Sequence, residues 1–207
     1  MALRQIIRKI YRKIVYRKYK NITDSSSLDR NIKVFNPDNL IMEERTNIDG
    51  GAVIMNTRAK FIMHKNSGAA MGLTVITGNH LSLVGKLFKD VTDKDKDEHN
   101  GQQYDKDVIV DEDVWIGTNV TLLAGSHIKR GAIVGGGSVV RSTIPPYAVV
   151  AGNPAKIIGF RFTPEEIIKH ETELYEPEDR INRLVIEKNY HNNFENKLKD
   201  INKYLKP

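Results

Sequence analysis

The chain has no cysteine among its 207 residues and only one tryptophan, Trp115. Without thiols, a disulfide framework, cysteine-ligated zinc and thiolate catalysis are all excluded. No apolar run approaches the roughly 20 residues that a bilayer-spanning helix needs, so a soluble or peripheral, cytoplasmic protein is expected. Of the histidines, His64, His99, His127, His170 and His191 share no common spacing, and no two histidines stand four residues apart. No metal site is expected from them.

The net charge of +6 is unevenly placed. Residues 1–20 hold eight basic side chains and no acidic one, which leaves 24 basic against 26 acidic residues in the rest. The basicity therefore belongs to an arm, and the near-neutral body argues against a nucleic-acid surface spread over the fold. Within residues 3–19, Leu3, Ile6, Ile7, Ile10, Ile14 and Val15 share one helical face, with Arg and Lys opposite and Tyr11, Tyr16 and Tyr19 near the boundary. Such a helix suits an anionic membrane surface or the body of the protein itself. It lacks the continuous apolar core and cleavage site of a secretory signal.

The strongest signal is a period of six. From 110 to 145 an aliphatic residue recurs as Val110, Ile116, Leu122, Ile128, Val134 and Val140, each followed four residues later by Val114, Val120, Ser126, Ala132, Ser138 and Ile144. Turn-forming Gly117, Asn119, Gly125, Gly131, Gly135, Gly136 and Gly137 lie between. Six fits neither helix nor plain strand, but it fits short strands joined by tight turns. If each hexad is one side of a triangular prism, 18 residues make a coil and the aliphatic residues fill it. The same register is legible upstream at Met42, Ile48 and Ile54, slips by three residues, and resumes at Met63, Ala69 and Val75. It breaks at His80, and residues 81–107, including "KDVTDKDKDEHNGQQYDKD", read as one long extruded loop, a length that is usually functional or disordered.

These hexads, "ITGNH" before the loop, "DVWIGTNVTLLAGSHIKRGAIVGGGSVV" after it and "IPPYAVVAGNPAKIIGFRF" at the end resemble the hexapeptide-repeat acyltransferases. Within them the chain is most similar to the galactoside, maltose, nodulation and xenobiotic acetyltransferase group. The resemblance covers about residues 32–162. It implies a mainly β fold, a left-handed parallel β-helix assembled as a homotrimer, with active sites between subunits and acetyl-CoA as donor. The arm (1–22) would precede this domain (32–162, loop 81–107). A charged helical extension (163–207) would follow, opened by a Thr163 cap with Pro164 in the first helical position.

Moving an acetyl group from a thioester to a hydroxyl or amine requires a base for the acceptor's proton and donors for the charge on the thioester oxygen. His80 matches the family's catalytic histidine by position, and an imidazole suits the base role near neutral pH. With no nucleophilic cysteine and no Ser/His/Asp motif, direct transfer is favoured over an acyl-enzyme. Asn79 suits the acceptor hydroxyl or the thioester oxygen, or simply a turn. Asp49 falls near an acceptor-binding position of sugar-acetylating relatives; it suits sugar hydroxyls, an acceptor ammonium, or orientation of His80. Trp115 sits where the family has its pantetheine tunnel. Gly117, Thr118, Gly136, Gly137 and Ser138 allow backbone approach to an extended pantetheine arm, while Lys156 suits the CoA phosphates, with Arg141 and Arg161 weaker candidates. The expected activity is acetyl transfer to a sugar-type acceptor in surface polysaccharide or glycolipid synthesis. A non-catalytic trimeric scaffold is the alternative.

Overall fold

The computed structural model describes residues 18–195. Its strands come in threes. Ser27–Leu28 (β1), Lys33–Val34 (β2) and Leu40–Met42 (β3) make one coil, and Asn47–Ile48 (β4), Val53–Met55 (β5) and Phe61–Met63 (β6) make the next. Gly68–Ala69 (β7) and Thr74–Ile76 (β8) begin a third, which Val108–Val110 (β9) completes after the long insertion. Trp115–Ile116 (β10), Thr121–Leu123 (β11) and His127–Ile128 (β12) form a fourth; Ile133–Val134 (β13), Val139–Val140 (β14) and Thr143–Ile144 (β15) form a fifth. Ala148–Ala151 (β16) and Lys156–Phe160 (β17) end the series.

Every third strand pairs in parallel, giving a first sheet β1-β4-β7-β10-β13-β16, a second β2-β5-β8-β11-β14 and a third β3-β6-β9-β12-β15. β17 turns back antiparallel on β16 and closes the first sheet. The register matches the six-residue period: Val110 lies beside Ile128, Ile116 beside Val134 and Leu122 beside Val140, each 18 residues on. All of these side chains are buried, as are Met42, Ile48, Ile54, Met63, Ala69 and Val75 upstream. Thr46, Ser67 and Ser138 are buried as well, each donating its hydroxyl to a backbone carbonyl, as Ser67 Oγ does to Asp111 O at 2.6 Å, whereas the buried Ser126 hydroxyl has no partner among the described residues.

Three details depart from the sequence reading. Ile144, expected as a corner partner of Val140, pairs with Ile128 and takes an inward place on the third sheet, because the last coil is two residues short. Parallel pairing already begins at Ser27–Leu28, where Leu28 lies beside Ile48. Tyr19, read at the boundary of the arm helix, is buried in the core, and Ile22 bridges Met42. Residues 1–17 of the arm lie outside the described residues.

The far end carries two helices, Pro164–Leu174 and Arg183–Tyr190. The first starts as expected, with Thr163 and Glu166 in a reciprocal capping box and Pro164 in its first turn. It docks through one buried carboxylate. Glu171, 2% exposed, accepts from the Tyr147 hydroxyl at 2.5 Å, from Arg130 Nη1 at 2.9 Å and from the Ile181 amide at 2.9 Å. Arg130 also pairs with Glu112 at 2.6 Å and stacks on Tyr175, so a corner of the coil and the terminal helices share one ionic cluster. Burial, reinforced by Glu171, pushes the Tyr147 phenol well above its ordinary range.

Removing one member of such a cluster strands the others' charges in low dielectric. Glu171→Ala is therefore expected to cost about 3 kcal/mol in urea unfolding, the low end for a buried pair because Arg130 keeps some contact with water. A change below about 0.5 kcal/mol would show that the helices dock by apolar contact alone.

Candidate active site

The insertion leaves and rejoins the coil through a short paired neck. Lys106 N donates to Thr77 O at 2.9 Å, Asn79 N donates to Tyr104 O at 3.1 Å, and Gly78 forms an antiparallel bridge with Asp105. His80 is the first residue above the neck. Its side chain is exposed, makes no hydrogen bond within the described residues, and meets the Phe88 ring edge-on at 4.9 Å between centroids. Asn79 is exposed too, its amide already committed to the neck.

The rest of the insertion is a folded lobe, which its polar composition did not announce. A six-residue helix, Asp93–Glu98, carries a reciprocal cap between Thr92 and Asp95. Lys86 donates to Asp95 at 2.5 Å. That bond first, then those from Thr92, holds the Asp95 carboxyl well below the usual carboxylate range. Leu81 is buried, whereas Val84, Leu87 and Phe88 face solvent.

Most of the expected donor-binding residues gather on the edge between the first and second sheets. Gly117 N donates to Val134 O at 2.8 Å and Gly137 N to Thr118 O at 2.8 Å, so successive coils stack there backbone to backbone. A Cβ on Gly117 would stand 2.7 Å from Gly136 N, which only glycine avoids. Ser138 belongs to the same corner, but its hydroxyl is buried and engaged, donating to Gly135 O at 2.6 Å and accepting from Gly152 N at 3.2 Å. Lys156 is exposed just beyond, where the cis Asn153–Pro154 turn leads into β17. Arg141 is exposed, whereas Arg161 is tied to Asp113 at 2.7 Å.

Trp115 lies on the outer face of the first sheet, 48% exposed, with Gly68 and Ile133 as its lateral neighbours. The absence of a side chain at Gly68 gives the indole its seat: a Cβ there would be 3.4 Å from Trp115 Cζ3 and 2.7 Å from Asn47 Oδ1. A groove of about 300 Å³ opens beside it, lined among others by Arg45, Asn47, Asn66, Asp113 and Arg161. Asn47 Nδ2 donates to Asp49 Oδ1 at 3.1 Å, so the predicted acceptor residue stands at the edge of this groove and Asn47 stands in it. Sequence reading passed over Asn47, Arg45 and Gly68. The cross-coil ladder Asn47, Gly68, Trp115 identifies Asn47 and Gly68, which lie two coils and one coil before Trp115 on the same face.

Within one chain these parts do not meet. The glycine edge opens the second sheet and His80 follows its far edge, a separation of six residues of strand or roughly 20 Å at about 3.3 Å per residue. A second ionic groove of about 240 Å³, lined by His64, Lys65, Asp111, Glu112 and Arg130, lies elsewhere; Lys65 and Arg130 pair with Glu112, His64 with Glu43 and Asp111 with His127. Among the described residues no group of three or more His, Asp or Glu is arranged to hold a metal ion, and no helix is long and apolar enough to cross a membrane.

Comparison with known proteins bears on this arrangement. No protein-family model matches the chain. A chloramphenicol acetyltransferase of Klebsiella aerogenes is 48% identical over 59 residues, 28% of each chain. An Escherichia coli (strain K12) protein named for lipopolysaccharide biosynthesis O-acetyl transfer is 46% identical over 69 residues, 33% of this chain and 32% of that one. The solved maltose O-acetyltransferase of Clostridium difficile 630 superposes with a TM-score of 0.61 at 22% identity over 72% of this chain and 74% of that one. The chain thus shares the fold of hexapeptide-repeat acetyltransferases and, over short stretches, is similar in sequence to named acetyltransferases. The matched stretch spans only about a third of the length of these curated relatives. A hexapeptide-repeat acetyltransferase of Vibrio cholerae O1 biovar eltor, solved with acetyl-CoA, shares the fold with a TM-score of 0.60 at 21% identity, over 74% of this chain and 78% of that one.

The seat of Trp115 is directly testable. A Cβ alone would only touch the indole, so Gly68→Leu, which fills its seat, is expected to lift it toward water and move the emission maximum of this sole tryptophan to longer wavelength, with the far-ultraviolet circular dichroism unchanged. An unshifted maximum in a folded variant would show that the indole does not rest on Gly68.

Proposed function

We propose that this chain transfers an acetyl group from acetyl-CoA directly to a hydroxyl or amine of a sugar-type acceptor, with His80 as general base. The observation that carries the reading is the form of the interruption. The coil is interrupted by one long insertion, and that interruption lifts an exposed imidazole, without a hydrogen bond among the described residues, onto a narrow neck beside a folded lobe. The neutral ring takes the acceptor proton as the oxygen or nitrogen attacks the thioester carbon, then returns it to the leaving thiolate. Asn79, the residue directly before it, is assigned to the acceptor or the thioester oxygen.

The glycine edge supports the donor. Gly117, Thr118, Gly136 and Gly137 present backbone at a surface free of side-chain bulk, which suits the amide-rich pantetheine arm, and Lys156 lies at its end for the phosphates. Ser138 contributes through the corner it braces. The groove beside Trp115, with Asn47 and Asp49, suits a sugar through its paired hydrogen-bonding side chains, while the exposed indole, two residues before Gly117, is assigned to the pantetheine arm. Base and donor edge lie on opposite sides of the second sheet, so the reading requires a left-handed coil assembled as a trimer, with each site shared between neighbours. The outward Val53, Met55, Ile76, Leu123 and Val139 of the second sheet, each only partly covered, support such an assembly. Relatives named for chloramphenicol and for lipopolysaccharide acetylation leave the acceptor open, and a surface polysaccharide or glycolipid is the one proposed. The basic arm, whose first 17 residues lie outside the described residues, is assigned to an anionic membrane surface at the cytoplasmic face.

His80→Ala is expected to lower turnover by about 10²- to 10⁴-fold while leaving CoA affinity nearly intact. Near-wild-type turnover would remove His80 from the mechanism. Trp115→Ala and Lys156→Ala are expected to weaken CoA binding without dispersing the assembly, as read by calorimetry and sedimentation. Wild-type affinity in both would place the donor elsewhere.

A further inference from the structure

We infer that Arg58 is a positioning residue for His80: it clamps the inserted lobe onto the coil and so fixes the neck from which the histidine projects. The inference rests on His80 being the base. Its starting point is the three-residue slip between Ile54 and Met63, which pushes Thr57 and Arg58 out of the prism while Ala59 stays buried. No inward position needs those extra residues. Arg58 faces three carboxylates of the lobe: Nη2 donates to Asp97, Nη1 lies 3.6 Å from Asp93, and Nε lies 3.1 Å from Asp105 Oδ2. These contacts, the bond to Asp97 foremost, raise the guanidinium above its ordinary range.

Asp105 is the member that matters. Its side chain is 9% exposed, and its two oxygens have different partners. Lys96, itself buried, donates to Oδ1 at 2.6 Å, whereas Oδ2 has no hydrogen bond and faces only Arg58. Taking Arg58 away would leave that oxygen uncompensated in a dry site. Asp105 is also a neck residue, bridged to Gly78 two positions before His80 and so close that a Cβ on Gly78 would collide with its carboxylate. Lys60 N, on the same slip, donates to Asp107 Oδ1 at 2.7 Å and holds the returning strand from below. The far side of the imidazole is set by the same lobe: Phe88 meets the ring, and Lys86, two residues earlier, is tied to Asp95 on the lobe's helix. Movement of the lobe about the slip therefore shifts both the backbone under His80 and the ring against it.

The test uses full-length Arg58→Ala, Arg58→Lys and Asp105→Asn. Arg58→Ala is expected to speed amide hydrogen exchange at Asn79 and Lys106 by about tenfold or more while core amides keep their protection. It is expected to lower kcat for acetyl transfer on the order of 10- to 100-fold with KM for acetyl-CoA unchanged, as a misplaced catalytic group does. Arg58→Lys keeps the charge but loses the planar fork, and should recover part of both effects. Asp105→Asn should loosen the neck as Arg58→Ala does. Neck exchange unchanged in folded Arg58→Ala overturns the inference whether or not transfer is observed. Faster exchange with unaltered kcat makes Arg58 a structural residue only, and overturns it too. Should Arg58→Ala fail to fold, Arg58→Lys and Asp105→Asn decide on the same two readouts. If His80→Ala proves active while the neck still responds to Arg58→Ala, the base assignment fails and the clamp survives as a structural feature alone.

Discussion

Everything in this molecule hangs on the stacking of like on like along the coil axis. Ile48, Ala69, Ile116, Val134 and Val150 form one continuous inward ladder, and parallel pairing sets each rung directly over the last. Each coil contacts only its neighbours, so the core is a column of aliphatic layers whose width is set by three short strands. Small side chains at the corners follow from the same constraint. A bulky residue at Ser126 or Ala132 would hold the sheets apart and open voids between rungs.

A column of this kind has two ends, and both are closed by residues outside the repeat. Tyr19 and Ile22 pack into the first coil, while β17 folds back on β16 and the last helices dock on Tyr147. The docking is largely ionic, through Glu171, Arg130 and Glu112. A buried ionic cluster tolerates few relative placements of its members, which is a reason to find it where an irregular element meets a regular one.

The inserted lobe meets the coil under the same logic. With no inward ladder to join and few apolar residues to bury, it is held by charge: Arg58 against three aspartates, Lys96 against Asp105 and Lys86 against Asp95. Surface ion pairs of this sort are individually weak, but those to Asp105 are shielded from water and sit on the neck itself. The proposed base thus stands on the most regular part of the fold and is oriented by the least regular part.

The hexads at 110–140 by themselves determined the coil, its 18-residue pitch and the identity of its core, because an inward residue every six positions has no other way to be buried. The break at His80 was legible for the same reason: a strict period makes its interruption conspicuous. The short last coil, which turns Ile144 inward, was not legible, since a two-residue deletion leaves an aliphatic residue in either phase. Nor was the order of the 81–107 segment, whose stability comes from pairs such as Arg58 with Asp105, 47 positions apart, that no local pattern encodes. The expected site residues were named from position along the chain, yet whether they share an edge depends on which coil lies above which. Only the tertiary structure could set Asn47 and Gly68 beside Trp115, place Gly117 and Gly136 on one edge, and hold His80 on the other, because those relations arise from register between coils and not from adjacency in sequence.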